Sequence, residues 1–428
     1  MHFQMVLLVS SLLLGAPPAN GATAPTSLED AFKSALAKSE ALKQSEERYH
    51  QSDERVGQGR GGILPNLSFQ LTHQIQAEPE SEVARQFSPQ NQTTANFQVS
   101  QPLFKGLREF YGLSQLDSLR SAQESQTEST RLRLFQEVSS SYLTILSLEQ
   151  DAKNLREQSE LYDKRVGELE ARAKRGESNQ SEVLSAQSTQ SSLMAEMRLQ
   201  EGQLEVAREN FHFLTGLPRD SLLSDPSMIS KLGGPENLEK YIQRVEDRPD
   251  VKAAIHNYEA AREAVSVAWG AHWPELDAVG NYYLQRPGFL QDVKWDIGLR
   301  LKVPLFEGGA THSKVREAIS KRKEAELELE RTRRAALAEI RSLHQRLSAR
   351  LDHMTRLKRS AELSRKNSQV VQRDYRRGLT RSIDVQLALT EFRVAQRSFD
   401  QARFTAQMDY LQLQAAAAMV PVSEKEAR

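Results

Sequence analysis

Side chains able to do chemistry are scarce in this sequence. It has no cysteine, which excludes disulfides, thiolate metal sites, cysteine nucleophiles and a lipid-modified N-terminal cysteine. Its nine histidines form no H-E-x-x-H pair or other dense ligand set, and His344 and His353 read as wet helix faces. No nucleophile, base and orienting group can be assembled from local motifs. The stretch GQGRGG matches G-x-G-x-x-G at Gly57, Gly59 and Gly62. A dinucleotide site needs a strand before that motif and a helix after it. Here a helical pattern precedes it and Pro65 with a strand pattern follows, so it reads as a flexible entry to the next element. The sequence therefore predicts no enzyme, no cofactor and no bound metal.

The elements say more than the reactive groups do. The chain has 428 residues, with 57 basic and 57 acidic side chains that cancel. That balance argues against nucleic acid as a partner, because phosphate binding needs a basic surplus or stripe. Aromatics make up 7% and mean hydropathy is -0.58, too polar for a bundle of membrane helices. At the N-terminus, Met5 to Leu14 is a short apolar run broken by Pro17 and Pro18. Ala19-Asn20-Gly21 follows as a small-x-small cleavage site. This predicts a secretory signal over residues 1–21.

The remainder reads as a duplication. Phe104 and Gly106 stand 202 positions before Phe306 and Gly308, and Arg175-Gly176 stands 202 before Arg377-Gly378. Leu64-Pro65 matches Trp273-Pro274 at an offset of 209, which a longer loop in the first copy accounts for. A constant offset across several punctuation points indicates an internal repeat. It predicts a first repeat at 22–218, a linker at 219–237 containing KLGGPEN, a second repeat at 238–420 and a tail at 421–428.

Each copy reads alike. A helical stretch comes first, Leu28 to Gln58 and Leu238 to Ala271. Two strands then flank a polar loop. In NLSFQLTHQI, Leu67, Phe69, Leu71 and Ile75 alternate with Asn66, Ser68, Gln70 and Gln74. In the last strand Trp295, Ile297, Leu299, Leu301 and Val303 oppose Asp296, Gly298, Arg300 and Lys302. Runs of about ten residues match tilted strands crossing a bilayer, though a soluble sheet with one wet face has the same period. A long proline-free helical pattern follows in each copy, Leu107 to Lys174 and Ala310 to Arg376. Apolar residues recur seven apart, as in Val138, Ile145 and Ala152, or Leu148, Leu155, Tyr162 and Leu169; this is coiled-coil spacing. Each long helix ends at Arg-Gly, where glycine can turn left-handed. A shorter helix then returns, with Ser178 or Ser181, and Thr380 or Ser382, as expected caps. Four strands cannot close a barrel, and open edges in lipid leave backbone groups unpaired. Copies must therefore assemble: two give eight strands, three give twelve with room for a channel.

The segments ILPNLSF, QPLFKG, VPLFEGG, RGESNQSEV and RGLTRSIDV, in order through both halves, resemble the landmarks of the TolC-like outer membrane efflux family. The resemblance spans the mature chain. It implies a mainly α fold with a membrane β-barrel part: a homotrimer sharing one 12-stranded barrel among outer membrane lipid. Long helical coiled-coil hairpins would form a periplasmic tunnel. It implies the outer membrane channel of a tripartite efflux or type I secretion system, a passive export duct docked on a periplasmic adaptor protein and an inner-membrane transporter. The docking tips would be Arg175 and Gly176 in one hairpin and Arg377, Gly378 and Leu379 in the other. The family narrows its tunnel with acids just past the turn glycine; Glu182 and Asp384 each stand six residues beyond theirs. Leu387 occupies the place of a second acid. Tyr375 matches a tyrosine that meets the first-repeat acid in the closed state, and Arg381 lies one residue past the basic position, which is Thr380. From the residues alone, these acids are also what the start of a helix favours. A different reading of the whole chain is a non-conducting trimeric structural or adhesive coiled coil anchored by the same strands. The Asn, Gln and Ser on the polar strand faces favour a wet lumen instead.

Overall fold

The computed structural model describes residues 25–77, 79, 81–87, 89–226 and 235–420. The expected signal segment, the tail from 421 and part of the linker lie outside these. α1 (Leu28–Lys38) and α2 (Glu40–Gly61) lead into β1 (Asn66–Ile75), and a loop carrying the short α3 (Glu82–Phe87) crosses to β2 (Asn91–Lys105). α4 (Arg108–Lys174) then runs away from the sheet and α5 (Gln180–Thr215) returns. The second half repeats this with α6 (Leu238–Ile242), α7 (Pro249–Gly270), β3 (Glu275–Gln285), β4 (Trp295–Lys302), α8 (Ala310–Arg376) and α9 (Ser382–Ala416). α4 and α8 have 67 residues each, with both ends 202 apart. α2 and α7 have 22 residues each, with both ends 209 apart. At 1.5 Å per residue α4 and α8 are each about 100 Å long.

Three local expectations change. The first helical stretch is two helices, because Ser39 leaves helical geometry (φ -57, ψ 113) and caps α2 by accepting from the Leu42 N–H. Its counterpart is broken before Pro249, which takes the first position of α7, where no N–H is needed. The loop between the first two strands carries a helix, and Phe87 in it lies 5.3 Å from Phe289 in the second loop.

The sheet is antiparallel in the order β1-β2-β3-β4, so β1 and β4 are open edges. Its register lines up apolar residues across all four strands: Phe69, Phe97, Tyr282 and Trp295 form one row, and Leu67, Val99, Gly280 and Ile297 the next. Ile297 is 75% exposed and Leu67 67%, an arrangement that water would penalise and lipid would not. The opposite face carries a polar ladder. Gln70 donates to Gln98 at 2.8 Å, Asn96 to Asn281 at 3.2 Å, and Asn281 to Asp296 at 2.8 Å. Among the described residues no helix is long and apolar enough to cross a membrane.

The junctions between sheet and long helices are tight. Gly106 turns left-handed at φ 66, and a Cβ there would come 2.2 Å from the Gly270 carbonyl oxygen. Leu107 follows at φ 60, where the second repeat has Gly309. A left-handed leucine costs about 1–2 kcal/mol, so the first junction holds strain that the second avoids.

Two related cores sit midway along the helices. Phe32, Val138, Tyr142, Phe211 and Leu411 fill the first; Tyr241, Val251, Ile340, Leu347 and Leu413 fill the second. The buried Tyr142 hydroxyl lies 2.8 Å from the Thr26 carbonyl and 2.6 Å from that of Ser224, tying the start of the first repeat to the linker. His344, 202 positions later, is not simply a wet helix face. Its Nε2 lies 2.9 Å from the Glu236 carbonyl, and its ring packs edge-on to Tyr241.

The helices form a layer with one lateral order. Below the cores α4 packs on α5 and α9, and α9 on α8; above them α4 packs on α2 and α7, and α7 on α8. The first repeat therefore holds one open edge, with α5, α2 and β1, and α8 with β4 holds the other.

Candidate functional site at the hairpin tips

Both hairpins turn the same way for the same reason. Gly176 and Gly378 sit at φ 72 and 77. At the first tip Gly176 N–H bonds Ala173 and Glu177 N–H bonds Arg172; at the second, Gly378 bonds Tyr375 and Leu379 bonds Asp374. This pair of bonds satisfies the last carbonyls of each long helix and requires a left-handed residue, which glycine supplies. No atom lies within 4 Å of a Cβ built at either glycine, so only backbone conformation resists substitution. Leu379 is 70% exposed at its tip. At the other tip the Arg175 guanidinium donates to Glu177 at 3.0 and 3.1 Å, and this bond holds the Glu177 carboxyl below the usual carboxylate range.

The return helices begin at Asn179 and Arg381 rather than at the serines or threonine. Ser178 instead donates to Glu182 at 2.5 Å. Asp384 accepts the Arg381 backbone N–H at 2.9 Å, and the Arg381 guanidinium lies 3.5 Å from the same carboxylate. Asp384 thus completes a helix start, and Arg381 pairs with it within one chain. The Tyr375 ring lies between Arg172 and Arg165, at 5.2 and 5.5 Å from the guanidinium carbons. Glu182 and Tyr375 make no hydrogen bond to each other within the chain; among the described residues the Tyr375 hydroxyl has no partner.

Sequence reasoning missed the two arginines that flank Tyr375. Their signal was available: Arg165 and Arg172 stand seven apart on α4, on one helical face. It also missed the nature of the seam between the hairpins. Within the first hairpin α4 and α5 meet through apolar residues, Val166, Leu169, Val183 and Ala186, then Leu155, Tyr162 and Leu193. Between hairpins, α9 adds polar contacts below the core it shares with α4 and α5. Arg165 donates to the Ser382 carbonyl and hydroxyl at 3.1 and 2.7 Å. Ser185 donates to Gln386 at 3.0 Å, which donates on to Thr189 at 3.1 Å. Further up, Arg397 bridges Asp151 at 2.8 Å and Glu196, and Asn154 donates to Asp400 at 2.7 Å. Burial pushes the Asp151 carboxyl above its usual range, against the pull of Arg397. Parting such bonds exchanges them for water at about 0.5–1.5 kcal/mol each, or 1.5–3 where a charge is involved. An apolar seam loses its buried area outright.

Comparison with known proteins places this architecture. The family model "Outer membrane efflux protein" matches residues 31–217 and 242–419. The outer membrane protein TolC of Vibrio cholerae serotype O1 is 22% identical over 377 residues, covering 85% of this chain and 84% of that protein. The proteases secretion protein PrtF of Dickeya chrysanthemi is 22% identical over 360 residues, 79% of this chain and 75% of that one. Among solved structures, VceC of Vibrio cholerae superposes with a TM-score of 0.79 at 19% identity, covering 91% of this chain and 95% of that chain. The outer-membrane channel OprN superposes with 0.78 at 18% identity, over 91% and 89%.

Proposed function

This chain belongs to the outer membrane efflux protein family, and from that premise we propose that three copies form one export duct through the outer membrane and into the periplasm. The protein is an outer-membrane efflux or secretion channel, not an enzyme. The single observation that carries the trimeric reading is the open sheet: four strands, an unpartnered apolar face and a polar ladder behind it. Twelve strands close with room for water, and the polar ladder then lines the lumen. The helices continue the same closure, since the open edges at α8 and at α2 and α5 lie on the same two sides as β4 and β1.

The duct is passive, and its energy comes from elsewhere. The tips, with Arg175, Gly176, Arg377, Gly378 and Leu379, are where a periplasmic adaptor meets it, linked in turn to an inner-membrane transporter. Glu182, Tyr375, Asp384 and Arg381 form the periplasmic aperture. The free Tyr375 hydroxyl supports a latch made between copies, with Glu182 of a neighbouring copy as acceptor. Purified protein in planar bilayers should give stable, stepwise conductance. A protein that inserts but passes no current would leave the structural or adhesive reading in its place.

A further inference from the structure

Above the cores, a cavity of about 390 Å³ lies over α4 between α2 and α7. Its α2 wall is Arg48, Gln51 and Arg55, at the i, i+3, i+7 spacing of one helical face. Gln123 of α4 and Asn257 of α7 close it, and Leu119 forms part of an apolar floor. No acid lines it. Three neighbouring arginines are paired: Arg120 with Asp53 and Asp117, Arg131 with Glu46 and Glu128, Arg108 with Glu275. Among the described residues neither Arg48 nor Arg55 has an ion pair, and the Gln123 Nε2 is buried without a hydrogen-bond partner. A buried donor left unmade is costly, whereas Arg48 and Arg55 are exposed and free to turn to a ligand. An anion between them would meet both guanidiniums and the Gln123 amide.

We propose that this cavity binds an amphiphilic organic anion, a carboxylate or phosphate with a small apolar body. The guanidiniums supply paired donors matched to a carboxylate or phosphate. The Gln123 amide adds a neutral donor, and Leu119 takes the apolar part. The volume falls within the range of small-molecule sites, about 300–1,000 Å³. The cavity opens on a face of the helix layer, not on the lateral edge that a second copy would cover.

The test uses full-length protein in an uncharged detergent and 2-naphthoate as probe, read by titration calorimetry. Saturable binding is expected, with 2-naphthamide, its neutral isostere, failing to compete. R48Q/R55Q should weaken it at least tenfold, about a factor of ten being the loss for one charge-assisted contact. Gln123→Leu should weaken it by a smaller factor. Competition by inorganic phosphate would identify the anionic head as the recognised part. Single-pore current separates the sources. Block by 2-naphthoate means cargo in transit past a lumen-facing site; unchanged current with intact binding means a resident anion of the envelope on the outer wall. Absence of saturable binding, equal binding of the amide, or unaltered binding by R48Q/R55Q would overturn the proposal. So would dissociation of the oligomer in R48Q/R55Q, which would make these arginines ion-pair partners of a neighbouring copy.

Discussion

At the scale of single residues, the proposed aperture would depend on few groups. Tyr375 is fixed by its ring, which Arg165 and Arg172 flank, and each such cation–π contact is worth about 0.5–1 kcal/mol at an exposed site. Its hydroxyl remains available. Tyr375→Phe therefore keeps the ring and removes only the donor of the proposed latch, while Glu182→Ala removes its proposed acceptor together with the bond from Ser178. A hydrogen bond to a charged group contributes about 1.5–3 kcal/mol, and three copies would lose three of them. The double variant should show higher single-channel conductance, and cells carrying it should become more sensitive to large antibiotics. Conductance equal to the parent's would place the latch elsewhere. Asp384, by contrast, already has the Arg381 backbone and side chain. Its removal should weaken the start of α9 more than it alters ion selectivity.

At the scale of elements, each long helix is ended by a backbone motif and the first hairpin is closed by an apolar seam, whereas toward the tips the two hairpins meet through polar bonds. The boundary between the hairpins is thus polar toward the tips, while Leu411 of α9 stays packed in the first core. The tips lie at the far end of the hairpins. Gly378→Val forces a β-branched residue to φ 77, at a cost of about 1–2 kcal/mol, but meets no neighbouring atom. The hairpin should bend at its tip and the fold should persist. Export from cells should fall while the amount of outer-membrane trimer stays normal. Loss of trimer would mean that the turn is needed for folding and not for docking.

At the scale of the whole molecule, closure is the governing demand. The sheet edges and the helix-layer edges run along the same two sides of the chain, so one rotation operator closes barrel and tunnel together, as cyclic assemblies require. Light scattering of the detergent complex, corrected for bound detergent, should give the mass of three chains. A monomer would leave the exposed face of β1 and β4 and the edge of α8 without a partner, and would sink both barrel and tunnel.

The sequence by itself determined whatever depends on neighbours along the chain. Alternation set the two faces of each strand, the seven-residue spacing set the apolar seam of the first hairpin, and Arg-Gly ended each long helix because left-handed φ is a local property. The constant offset carried these readings from one half to the other, and the segments QPLFKG and VPLFEGG do mark the places where strand becomes helix. Tertiary structure decided whatever depends on register between distant elements. The flanking of Tyr375 by α4, the bond from Asn154 to Asp400 across 246 positions and the unpaired arginines over α4 belong to this class. A polar side chain in a helical pattern carries no sign of which neighbour it will meet. A shift of one residue along a 100 Å helix would give each of them a different one.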